Sequence, residues 1–146
     1  MKIQVTAATI LLALSACATP VDAPMQNSAP AAASALAAYT WQVKSGPISL
    51  TDADRVVLTF RNDGTFSVAG LCNQMGGGYT DVSGKITFSN VTSTMMACHD
   101  ERKMRLEAEV GGALQKSASA MMSRSEPPQL HLNFDQGSHW TLQGSR

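Results

Sequence analysis

The sequence predicts a single α+β domain in which many short strands surround one helix. Three observations carry that expectation. Short segments alternating apolar and polar residues recur from Trp41 to Leu142, with glycine, asparagine and proline turns between them. One stretch, after Asp100, repeats its apolar residues at helical spacing instead. The strands follow one another without a helix between each pair, which excludes a βαβ repeat. At 146 residues, the chain has room for one such domain.

The first residues read as an address. Lys2 precedes Ile10-Leu11-Leu12-Ala13-Leu14, an apolar run too short to cross a bilayer, which takes about 20 residues. The run ends in Leu14-Ser15-Ala16-Cys17, which resembles the lipobox of bacterial lipoproteins. Residues 1–16 are then a signal peptide, and Cys17 becomes an acylated N-terminus. An ordinary signal peptide with an incidental cysteine is the plainer alternative. Ala18 after the cysteine implies the outer membrane, with the domain in the periplasm. More than one acyl chain gives the stable anchoring that a single chain does not. Residues 17–38 read as the lipidated cysteine and a flexible tether rich in alanine, proline and serine, and residues 39–146 as the folded domain.

Within the domain, Trp41-Gln42-Val43 is a first short strand, and Arg55–Phe60 is a second, β-branched one. Asp63-Gly64 is a tight-turn pair leading into Thr65–Ala69, where Phe66 and Val68 share a face. Gly76-Gly77-Gly78 reads as a break before Tyr79. Lys85–Phe88 and Val91–Ala97 read as separate extended segments. Asp100 stands where a helix N-cap belongs, with Glu101 in the first turn. Leu106, Val110, Ala113 and Leu114 form one apolar stripe, and Gly111-Gly112 weakens its far end. Strands at Ser119–Met122, Gln129–Asn133 and His139–Leu142 complete the chain, and Trp41 and Trp140 are expected to meet in the core.

Three cysteines is an odd count. With Cys17 acylated, Cys72 and Cys98 remain, and an oxidising envelope favours their pairing. Closing that loop of about 27 residues contributes roughly 3.5 kcal/mol. Two buried reduced thiols are the alternative. Zinc, which wants four ligands, finds no second ligand pair at the usual spacing.

Gly70-Leu71-Cys72-Asn73, the glycines before Tyr79, Thr94-Met95-Met96-Ala97-Cys98, and Glu107 followed by Val110 and Leu114 resemble the META/HslJ-like domain family. The resemblance spans about Tyr39 to Gln143. Two departures stand out: Leu71 intervenes between glycine and cysteine, and Val110 occupies the helix position that is usually aromatic. The resemblance implies a curved, partly closed antiparallel β-sheet with one packed α-helix, on envelope lipoproteins associated with stress or antibiotic tolerance. It marks Asn73, Tyr79, Thr94 and Met96 as motif residues and implies no known reaction.

The charge balance, 11 basic against 11 acidic residues, argues against nucleic acid as a partner. Cys98-His99-Asp100-Glu101 holds a nucleophile, a base and carboxylates, but sequence neighbours on a helix do not face each other. A helix start beside a disulfide explains the same residues. Asp52, Asp54, Asp63 and Asp81 all stand in turns, with no paired-carboxylate spacing. His131 and His139 lie across a hairpin and, with Met75, Met95, Met96, Met104, Met121 and Met122, offer groups that suit copper. Core packing is the expected role of the methionines, so no metal and no cofactor is assigned. The expected function is a monomeric, lipid-anchored, non-enzymatic binding or envelope-maintenance module with an envelope protein or peptide partner. Inhibition of a hydrolase such as lysozyme or a protease is the alternative, and a Cys98/His99-dependent enzyme a more distant one.

Overall fold

The alternating segments become nine strands, and a computed structural model describes residues 28–146 of the chain. The signal peptide, Cys17 and the upstream part of the tether lie outside the described residues. In order, the elements are β1 (Ser28–Pro30), α1 (Ala33–Leu36), β2 (Thr40–Ser45), β3 (Val57–Phe60), β4 (Thr65–Ala69), β5 (Met75–Val82) and β6 (Lys85–Ser93), then α2 (Glu101–Ala113), β7 (Ala118–Ser123), β8 (Gln129–Phe134) and β9 (His139–Ser145). Among the described residues no helix is long and apolar enough to cross a membrane.

Every strand pairing is antiparallel, and β2 to β9 close into an eight-strand barrel in the order β7-β6-β5-β4-β3-β2-β9-β8, with β8 returning to β7. The sheet is therefore closed and not partly closed. The physical reason is a shared edge on β7. β6 pairs with Ala118 and Ser119, while β1 pairs with Met121, Met122 and Ser123. Between them, the Ala120 N–H donates to the Gly84 carbonyl at 2.6 Å, and its own carbonyl accepts from the Ala31 N–H at 3.0 Å. The seam is thus complete along β7.

Two helices cover the two ends. The β2–β3, β4–β5 and β8–β9 loops and the segment after β6 gather at one end, where α2 turns Leu106, Val110 and Ala113 into the core. At the other end, Ala31 and Leu36 are buried, and the Trp41 indole N–H donates to the Leu36 carbonyl at 2.8 Å. Residues 28–38 are consequently part of the fold, a correction to the tether reading. Their composition hides this because, from Ala31 on, the fully buried residues are one leucine and one small alanine.

Other expectations also change. Gly76–Gly78 continue β5 and do not break it. A Cβ on Gly77 would stand 2.5 Å from the Ser89 carbonyl oxygen, so the glycines let β6 lie close. β6 runs unbroken to Ser93 because Asn90 takes a positive φ at a bulge, and Thr94–Asp100 is irregular, not strand. α2 holds its helix through Gly111, where the missing side chain leaves room for the Met75 methyl group. Trp41 and Trp140 are both buried, but they sit toward opposite ends of the barrel, Trp41 against Tyr39 and Trp140 against Phe134.

If the N-terminal segment is part of the core, Leu36→Ala costs about 3 kcal/mol, the usual price of a large-to-small change at a fully buried leucine. Urea unfolding of the two proteins measures it. A change under about 0.5 kcal/mol would return residues 28–38 to a tether.

Candidate functional site

The sequence-singled residues converge on the end of the barrel that α2 covers. α2 starts as expected, with the Asp100 side chain accepting from the Lys103 N–H at 3.0 Å. Its inner stripe is apolar, and its flanks reach out to the surrounding loops. The Arg102 guanidinium donates to both Asp54 carboxylate oxygens, at 2.7 and 3.1 Å, and to the Ser49 carbonyl at 3.0 Å. The Glu109 carboxylate accepts from the Ser49 N–H at 3.0 Å and from its hydroxyl at 2.7 Å. Both contacts pin the β2–β3 loop against the helix.

Asn73 does the same for two further segments. Its backbone and side-chain N–H groups donate to the Glu107 carboxylate at 2.8 and 2.9 Å. Its side-chain oxygen accepts from the Met96 N–H at 2.6 Å and the Thr94 hydroxyl at 3.1 Å. One residue away, Cys72 is joined to Cys98, their Cα atoms 5.8 Å apart. The β4–β5 loop, the Thr94–Cys98 segment and α2 are therefore tied together by one asparagine and one disulfide.

This geometry places each motif residue. Cys72, Cys98, Asn73 and Thr94 belong to the tie, and Met96 belongs to it through its backbone alone. Tyr79 stands apart: it is buried, its ring edge meets Phe60, and its hydroxyl donates to the Arg61 carbonyl at 3.0 Å. Burial raises its phenol above the ordinary range. His99 is exposed beside the disulfide. Asp63 and Asp81 accept from Thr65 and Gly84 within their own turns. Sequence reasoning left Arg102 and Asp54 unpaired; 48 residues separate them, and no local pattern links them.

Asp54 carries the strongest electrostatic signature. Its side chain is 2% exposed, and the Arg102 hydrogen bonds hold its carboxyl well below the usual range, at about 2, against the penalty of burial. The pair raises Arg102 correspondingly. Burial opposes ionisation of Glu109, but the Ser49 hydrogen bonds outweigh it and lower that carboxyl too. These groups are ionised, Asp54 against Arg102 and Glu109 against Ser49, so none is poised to move a proton near neutrality.

Around the tie lies an apolar surface. Two open clefts flank the second half of α2, of about 650 and 420 Å³. The first runs between Ile48, Lys116 and Trp140; the second between Met75, Met96, Met104 and the disulfide. Ile48 is 95% exposed and Met95 99%, with Met96 and Met104 also largely exposed. Packing was the role expected of the methionines. Met75 is buried and Met122 packs partly buried against the core, but the Thr94–Cys98 segment leaves the sheet and carries Met95 and Met96 outward. Among the described residues there is no group of three histidine, cysteine, aspartate or glutamate side chains that could hold a metal ion.

The model of the META domain family matches residues 34–146, from the buried N-terminal helix to the last residue. The chain belongs to the META domain family. An NMR structure of a protein from Burkholderia xenovorans is similar over 93% of this chain and 99% of that one, with a TM-score of 0.67 at 23% identity. A second NMR structure matches 77% of this chain and 94% of its own, with a TM-score of 0.62 at 17% identity. Both likenesses concern the fold. No curated protein is significantly similar to the chain. In this META domain Asn73, Thr94, Met96 and the Cys72–Cys98 disulfide hold loops to a helix, and Tyr79 packs in the barrel instead.

The Asp54 carboxyl titrates lower in the folded chain than its ordinary 3.8. The stability it contributes is therefore complete above that pH and is lost as pH falls through about 2. Asp54→Asn should destabilise the protein by about 2 kcal/mol at pH 7, with the gap from wild type narrowing between pH 4 and 2. Urea unfolding across that range reads it; a gap independent of pH would dissociate the stability from this ion pair.

Asn73→Ala removes acceptor and donors together. It should cost about 1–3 kcal/mol and speed hydrogen exchange at the Met96 amide while the barrel amides stay protected. Unchanged exchange at Met96 would mean that the disulfide alone holds the segment.

Proposed function

We propose that this META domain is a lipid-anchored envelope protein that works by binding, not by catalysis, and that it meets its partner through the α2 end of the barrel. One observation carries the reading: four exposed apolar residues gather at this end, Met104 on α2 itself, Met95 and Met96 on the segment braced by Asn73 and the disulfide, and Ile48 on the loop that Arg102 and Glu109 pin. Unbranched methionines adapt to differently shaped apolar partners, and a braced loop loses little entropy on docking. The charged groups beneath are engaged, Asp54 with Arg102 and Glu109 with Ser49, which supports a scaffold and not a reaction centre. In the disulfide, Cys98 has no thiol to offer as a nucleophile. Closure of the barrel also removes most of the edge that pairing with a partner strand would use.

The lipobox at Leu14–Cys17 is the support for the anchor and for an outer-membrane, periplasm-facing location. A second reading, inhibition of a hydrolase, is favoured by the Thr94–Asp100 segment. It is exposed, irregular and pinned at Met96 and Cys98, the form of a segment that can enter an enzyme cleft without reordering.

Photo-crosslinking in cells tests the surface. A crosslinker in place of Met95 or Ile48 should capture a discrete envelope protein, and one in place of Glu126, at the other end, should not. Loss of the adduct in Cys17→Ala cells would tie capture to the anchor. Equal labelling from both ends would remove the α2 end as the docking surface.

A further inference from the structure

A second group of side chains lies on the outer wall of the barrel, away from the docking surface proposed above. On β8 and β9, Leu130, Leu132, Trp140 and Leu142 are buried, so His131, Asn133, His139 and Thr141 face outward. His131 pairs with Thr141 and Asn133 with His139, which makes the two histidines diagonal neighbours. Their rings stack at 15° with centroids 5.7 Å apart. On the other side of His131, β7 places Met121 directly opposite it. Ala118 and Ala120 of β7 point inward, so Met121 points out with the histidines.

Each imidazole is held through the same nitrogen. His139 Nδ1–H donates to the Asn133 side-chain oxygen. His131 Nδ1 faces the Thr141 hydroxyl at 3.4 Å. Among the described residues neither Nε2 has a hydrogen-bond partner. An imidazole oriented by an outer partner on one nitrogen, with the other left free, is the arrangement metal-bound histidines adopt. Two imidazoles and a thioether suit copper, whereas calcium and magnesium want oxygen ligands and structural zinc wants four donors.

We propose that His131 Nε2, His139 Nε2 and the Met121 sulfur form a copper-binding site on the barrel wall. The sequence places the two histidines on one hairpin and assigns no metal; the strand register makes them diagonal, puts Met121 in line and supplies Asn133 as the outer partner.

Titration of the untagged full chain with copper alone tests this. Cu(II) should bind at one equivalent per chain, with an electron paramagnetic resonance spectrum showing coupling to two imidazole nitrogens. Cu(I), measured by competition with a chromogenic chelator, should also bind at one equivalent. His139 is exposed, so His139→Ala keeps the fold and should abolish the two-nitrogen spectrum. Asn133→Ala, which touches no metal, should weaken binding about 10- to 100-fold, as loss of an outer partner does. Met121→Leu should weaken Cu(I) more than Cu(II), since the thioether prefers the softer ion. Binding that survives His139→Ala but is lost with His99→Ala would place the copper elsewhere. No binding at micromolar copper, or affinities unchanged by all three wall variants, would overturn the proposal.

Discussion

A closed barrel of eight strands encloses an interior that must be filled and leaves two ends that must be covered, and this chain is organised by that requirement. The filling comes from a few aromatics in mutual contact: Phe60 with Tyr79 and Phe88, Phe66 with Phe88, and Phe134 with Trp140. Aromatics make up only 5% of the sequence, yet those in the folded part are concentrated inside. Covering the ends takes the two helices. One cover, α1, is very short and depends on Leu36 and on the Trp41 hydrogen bond. The other, α2, is longer but carries two glycines, and so depends on contacts outside itself.

That dependence explains the chemistry at the α2 end. A helix with limited intrinsic stability is held by its apolar stripe beneath and by three carboxylate contacts at its flanks, to Asn73, Ser49 and Arg102's partner Asp54. The disulfide adds a constraint on the unfolded chain, with 26 residues separating its cysteines. Three of the four residues that resemble a catalytic set in the sequence, all but the exposed His99, therefore act as fasteners. Cys98 is covalently engaged, Asp100 caps the helix, and Glu101 meets Arg105 one turn on at 3.9 Å. With Asp54, Glu107 and Glu109 committed to loop contacts, the exposed apolar residues at this end are Ile48 and the methionines.

The strands and the helix were legible because period-two and 3.6-residue patterns are local, and Asp100 is a local signal too. The META resemblance added the likeness of Cys72, Asn73, Thr94 and Cys98 as a group. Beyond that range the sequence is silent for physical reasons. Gly76–Gly78 look like a break because glycine has no strand preference of its own. Their place in β5 comes from how closely Ser89 and Asn90 approach. Barrel closure turns on backbone bonds at Ala120, to which its methyl group gives no clue. Asp54 with Arg102, and His131 with Met121, meet only once the register is set. Met95 and Met96 have a composition suited to a core, and the bonds to Asn73 and Cys98 around them turn both side chains outward.

The position of the chain's N-terminal strand gives these surfaces a direction. β1 begins at Ser28, beside Ser123 and the β7–β8 turn, at the end opposite α2. For an anchor at Cys17, ten residues separate the acylated cysteine from Ser28, a reach of about 35 Å at full extension. Because β1 is hydrogen-bonded into the barrel seam, that leash starts at the wall itself and has no swivel formed by residues 28–38. An anchor at Cys17 would thus act on the end that carries the β7–β8 turn, opposite α2 with Ile48 and Met95, and the His131–His139 wall lies between the two ends. The strand that completes the β7 edge is therefore also the point at which any pull from the preceding residues enters the barrel.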